Sequence, residues 1–185
     1  MNATGVLAGF FAAHAVWCVS DAETLVPILA YESSDGSRQM ERLVTEQLED
    51  AVFYGKHLLE TNPKSAVRAV LVYDGFVTLS GAKTDALIID ALEYGSPNTG
   101  FTMAIPYRHA NDAAGFAVFR PKFLGFEGVE PSWDALGEAF FRGVDRHEKG
   151  AAVWNASLNQ SRLWPQRIVG PEPTLPLGFR MNPLL

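Results

Sequence analysis

Residues 69–93 read AVLVYDGFVTLSGAKTDALIIDALE, and the way this stretch divides decides the fold. Three runs rich in Val, Leu, Ile and Ala are separated by Asp74-Gly75 and by Gly81-Ala82-Lys83. Asp-Gly between apolar runs is the strongest short hairpin signal, because the tightest turn needs positive φ at both central positions. Strands are therefore expected at 69–73, 76–80 and 84–93. Downstream, SPNTG (96–100) leads to FTMAIPY (101–107), and HANDAAG (109–115) leads to FAVFRPKFL (116–124). Five consecutive strands with short connections read as an antiparallel meander.

Helices flank this region. Residues 5–19 place Leu7, Phe10, Phe11, His14, Trp17 and Cys18 on one helical face and Ala and Gly on the other, so both sides suit burial. TLVPILAY (24–31) reads as a short strand, with Pro27 pointing to an edge or a bulge. A long helix is expected over 38–61, with Ser37 as its N-cap and Asn62-Pro63 as its stop. Met40, Leu43, Val44, Gln47, Leu48, Ala51, Val52, Gly55, Leu58 and Leu59 form its inward stripe. A third helix is expected over 133–149, ended by Gly150, with Trp133, Leu136, Phe140, Val144 and His147 inward. The last segment holds five of the eleven prolines among large apolar residues. Prolines forbid a helix or central strand there, and exposed Trp and Leu are unfavourable. The expectation is α+β. An antiparallel β-meander of about five strands plus one N-terminal strand is packed by three helices, as one domain over 1–160. An extended Pro-rich arm over 161–185 packs on the domain or on a partner subunit.

Composition narrows function by exclusion. A chain of 185 residues with 48% hydrophobic and 19% charged residues has enough material for one core. A net charge of −6 opposes phosphate-backbone binding, so no nucleic acid is expected. Cys18 is the single cysteine, which fits a reducing cytoplasm. The apolar stretch 5–19 lacks a preceding basic residue, since the first is Arg38, and it is short of the ~20 residues that cross a bilayer. It reads as a buried helix, and no membrane partner is expected.

Three carboxylates interrupt the strand TDALIIDALE. Side chains alternate across a strand, so Asp85 and Glu93 share one face but stand about 26 Å apart at ~3.3 Å per residue. They cannot form an acid–base pair and are expected to be dispensable, with Arg108 as a diagonal partner for Asp85. Asp90 faces the other way, between Ile88 and Leu92. A carboxylate flanked by aliphatic residues must be paired, protonated or open to a cleft. Glu93 is followed by Tyr94-Gly95 and not by the x-Lys of a nuclease-type metal strand. His14 and Cys18 have the i, i+4 spacing of two zinc ligands, but a closed site needs two more. A buried imidazole and a buried thiol on an apolar face are the better explanation, and no metal is expected. The loop Arg108-His109-Ala110-Asn111-Asp112 is the most polar point of the β region. No G-x-S-x-G elbow, Walker loop or G-x-G-x-x-G occurs, so no cofactor is expected.

These features favour a non-catalytic domain that binds a small molecule or a protein partner and acts as a homodimer. The alternative is a small hydrolase using Asp90, or Arg108, His109 and Asp112. Whether those side chains converge in one pocket separates the two readings.

Overall fold

The computed structural model describes residues 1–79 and 81–159. The arm expected over 161–185 lies outside the described residues. The rest is α+β, with seven strands in one antiparallel sheet and four helices. In chain order the elements are α1 (Asn2–Val19), β1 (Ile28–Glu32), β2 (Arg38–Arg42), α2 (Leu48–Thr61), β3 (Arg68–Leu79), β4 (Ala82–Glu93), β5 (Thr99–Arg108), β6 (Ala117–Val118), β7 (Lys122–Glu127), α3 (Trp133–Asp145) and α4 (Glu148–Ser157). The strand order is β2-β1-β3-β4-β5-β6, and β7 also pairs with β5.

Helix α1 is the centre of the molecule. Its length and hydropathy would suit a membrane span, yet 67% of it is buried within the fold. One side lies on Ile28, Ala30, Val70, Val72, Leu87 and Ile89 of the sheet. The other side meets Leu136, Phe140, Val144 and Trp154 from α3 and α4. A helix that is apolar all round must be covered all round, and here the sheet and two helices do it. On the opposite sheet face, α2 covers Leu29, Tyr31, Ala69 and Leu71 through Ala51 and Leu59.

Several boundaries differ from the sequence expectation. Asp74-Gly75 is not a turn. Strand β3 runs through it, pairing Asp74 with Leu87 and Gly75 with Ala86. The alternation Val70, Val72, Asp74 against Leu71, Tyr73, Gly75 continues unbroken, and the long ladder overrides the local turn preference. The chain reverses one stop later, between Leu79 and Ala82, where Gly81 takes a φ of 81°. The helix expected over 38–61 starts only at Leu48. Residues 38–42 form edge strand β2 because Asp35 accepts from the Ser37 amide and Gly36 has a φ of 83°, closing a tight return from β1. Ser37 is therefore a turn residue, and Met40 and Val44 of the expected stripe are exposed.

The third helix divides at Arg146–His147, where His147 accepts from the Gly150 amide and caps α4. Gly150 does not end the helix but lies inside α4, and it lets α4 approach α1 closely: a Cβ there would come within 2.3 Å of the Ala13 carbonyl oxygen. The strand expected over 116–124 breaks at Arg120-Pro121 into β6 and β7. Pro121 has no amide hydrogen to donate to a ladder.

Candidate functional site

Asp90 lies on the sheet face that α2 packs, directly opposite Leu71 of β3 and Thr102 of β5. One carboxylate oxygen accepts from the Thr102 hydroxyl at 2.8 Å and the other from the Tyr73 hydroxyl at 3.1 Å. Lys56 of α2 brings its ammonium to 3.9 Å and lies over the Tyr73 ring. Burial, with the charge and hydrogen bond of Asp90, pushes the Tyr73 phenol far above its ordinary range, so it remains a donor. Both oxygens are satisfied, and the cluster holds β3, β4, β5 and α2 together. Asp90→Leu is expected to cost about 2 kcal/mol by orphaning two hydroxyls and an ammonium. Asp90→Asn, which keeps a polar partner for each hydroxyl, should cost less than about 1 kcal/mol. Equal urea-unfolding curves for wild type and Asp90→Leu would disprove the structural role.

The polar loop does not join Asp90. Arg108 projects to that same face but turns back on its own loop, donating to the carbonyls of Gly115 at 2.7 Å and Ala114 at 2.8 Å. Asp112 accepts from the Ala114 amide and lies 3.8 Å from Arg108. These two residues close the loop. His109 goes to the α1 side, where its Nε2 is 3.4 Å from Asp85 and its ring packs edge-on against Tyr107. The expected Asp85–Arg108 pair is thus replaced by Asp85–His109. The register pairs Leu87 with Ile105, not Arg108, and an odd slip moves a side chain to the opposite face.

The structure adds a polar group on the α1 face that the sequence reading missed. Asp74 sits two positions beyond Val72 on the α1 face and accepts from the Tyr107 hydroxyl with both oxygens at 3.0 Å. Burial outweighs that hydrogen bond and holds the Asp74 carboxyl above its ordinary value. Asp74, Tyr107, His109 and Asp85 make a short polar chain at one end of the sheet, with Asp85 and His109 exposed. Asp90, on the other face, takes no part.

Glu93 is also better engaged than expected. It accepts from the Met1 amino group and from buried Thr4 in the first turn of α1. Burial pushes its carboxyl up, but these hydrogen bonds, the amino charge and Arg68 bring it below the ordinary value.

His14 and His147 meet between α1 and the start of α4. His147 uses Nδ1 to accept from the Gly150 amide, so its Nε2 carries the proton and donates to His14 Nδ1 at 3.0 Å. Burial, His147 and Arg42 lower the His14 pKa, while burial and Lys149 lower that of His147. Burial raises the Cys18 thiol and keeps it protonated. Among the described residues no group of three or more His, Cys, Asp or Glu is placed to hold a metal ion.

Concavity lies elsewhere. A groove of about 400 Å³ between α3 and the β5–β7 edge is lined by Met103, Arg120, Pro121, Phe123, Gly137, Phe140, Phe141 and Leu158. None of Asp90, Arg108, His109 and Asp112 lines it. Beside it, β7 exposes Leu124 and Phe126, followed by Val129. Comparison of the chain with family models, with curated proteins and with solved structures finds no match, so any functional reading rests on this geometry.

Proposed function

We propose that this chain is a non-catalytic protein-interaction domain that acts as a homodimer in a reducing cytoplasm. The observation that carries the reading is exposed apolar surface on a sheet edge beside a groove: Leu124 and Phe126 of β7 and Val129 just beyond it, with Phe141 of α3 at the groove. The other exposed group, Met40, Val44, Leu48, Phe53 and Tyr54 around β2 and α2, has no such groove beside it among the described residues. Among the described residues β7 pairs with β5 alone, and a free strand edge bearing large apolar side chains is a template for another chain. The polar candidates support the same reading. Asp90 and Arg108 are occupied by structural partners, and Asp90 and His109 lie on opposite faces of the sheet. In this reading the segment 161–185 packs on its own domain or on the partner subunit.

Sedimentation velocity tests the proposal. Wild type is expected at twice the chain mass in the micromolar range, and Leu124→Lys/Phe126→Lys is expected at the monomer mass. Phe126 also packs on Trp133, so a circular dichroism spectrum matching wild type must accompany the mass change. A wild type that stays monomeric at several hundred micromolar would refute it.

A further inference from the structure

Resting on that reading of self-association, we infer that two copies pair edge to edge along β7, antiparallel about a two-fold axis between Leu124 and Gly125. Such a contact sets Lys122 opposite the partner's Glu127, Phe123 opposite the partner's Phe126, and Leu124 opposite the partner's Gly125. The segment KFLGFE complements itself in this arrangement. Cation meets anion, ring meets ring, and the one branched side chain meets the residue that has none. A closed two-fold interface requires this self-complementarity.

The side-chain directions agree, and they do so because β7 is bulged. In a regular strand Lys122 and Glu127, an odd number of residues apart, would project to opposite faces. The ladder with β5 shifts between Thr102 and Met103, leaving Leu124 as the extra residue. Lys122 then pairs with Ala104 and Glu127 with Gly100, which puts both on the face that α2 packs. Phe123 pairs with Met103 and Phe126 with Phe101, which puts both rings on the α1 side. Read from either end, β7 presents the same order of faces. A Cβ built on Gly125 would meet nothing within 4 Å, so the space that the partner's Leu124 needs is open.

The other long edge fails the same test. Two copies of β2 paired about Met40 would set Arg38 opposite the partner's Arg42, and like charges directly opposite are destabilising. Arg38 and Glu41 are also engaged already, by Glu32 and Lys64. Strand β6 has two residues, and Leu158 bridges alongside it.

A charge exchange measured by sedimentation equilibrium tests the register. Lys122→Glu and Glu127→Lys each put like charges opposite one another twice per dimer, and each is expected to weaken dimerisation at least about tenfold. The double variant Lys122→Glu/Glu127→Lys restores opposite charges and should return to within about threefold of wild type. Thermal melts verify that each variant is folded, and recovery in the double variant is not something a general loss of structure would give. Unchanged dimerisation in both single variants, or a double variant weaker than either single, would overturn this pairing while leaving the homodimer in place. A monomeric wild type would overturn both.

Discussion

Gly143→Ala is expected to cost about 3 kcal/mol or more, while Gly137→Ala, on the same helix, is expected to stabilise by about 0.5–1 kcal/mol. The two glycines look alike in the sequence and differ in what a methyl group would meet. At Gly143 a Cβ would come within 2.1 Å of the Val6 carbonyl oxygen and 2.9 Å of the Phe10 amide nitrogen. At Gly9, on the facing helix, a Cβ would come within 1.9 Å of the Phe140 carbonyl oxygen. These are backbone atoms and cannot rotate away, so α1 and α3 would have to separate. Separation opens the layer where Leu7, Leu136 and Phe140 are fully packed. At Gly137 nothing lies within 4 Å, and alanine there simply removes the entropic cost of glycine in a helix. Urea unfolding of the two variants beside wild type reads both signs. Similar effects from the two would mean that the α1–α3 contact is not backbone to backbone.

That contrast shows where sequence reasoning stops. The Ala and Gly face of α1 and its suitability for burial on both sides are visible in residues 5–19. Which glycine meets which backbone is not, because that depends on how two helices cross. The β region shows a similar limit. Alternation through 69–93 is legible, yet Asp74-Gly75 competes with it as a turn, and choosing the turn halves β3. With β3 halved, Tyr73 becomes a hairpin flank and is lost as the partner of Asp90. The same weakness in register placed Arg108 beside Asp85, when the ladder gives that place to the His109 side of the loop. The dyad pattern of KFLGFE can be seen in the residues alone, but the bulge that brings Lys122 and Glu127 to one face comes only from the pairing with β5.

Glu32→Ala is expected to cost about 3 kcal/mol, the other large single effect, at a residue that no sequence pattern singles out. Glu32 is 8% exposed and closes β1. Its neighbours across the sheet are Arg38 of β2 and Arg68 of β3, and Arg68 in turn faces Glu93 of β4. Residues from three separate stretches of the chain thus form one row of alternating charge across four strands. Arg38 reaches one Glu32 oxygen at 2.7 Å, and Arg68 pairs with the other. Removing the carboxylate leaves Arg68, largely buried and with its Nε already lacking a partner among the described residues, to rely on Glu93 alone. Glu32→Gln keeps an acceptor but no charge and should fall between wild type and Glu32→Ala. Arg38→Ala should cost less than about 1 kcal/mol, because Arg38 is more than one-third exposed and water replaces its partner. A double-mutant cycle of Glu32→Ala with Arg68→Ala isolates the buried pair, and a coupling above about 1 kcal/mol is expected. Salt screens exposed charges far more than buried ones, so that coupling should persist at ~0.5 M salt. If it vanishes there, or if Glu32→Ala unfolds at the wild-type urea concentration, the row is a surface feature and not a clamp on the end of the sheet.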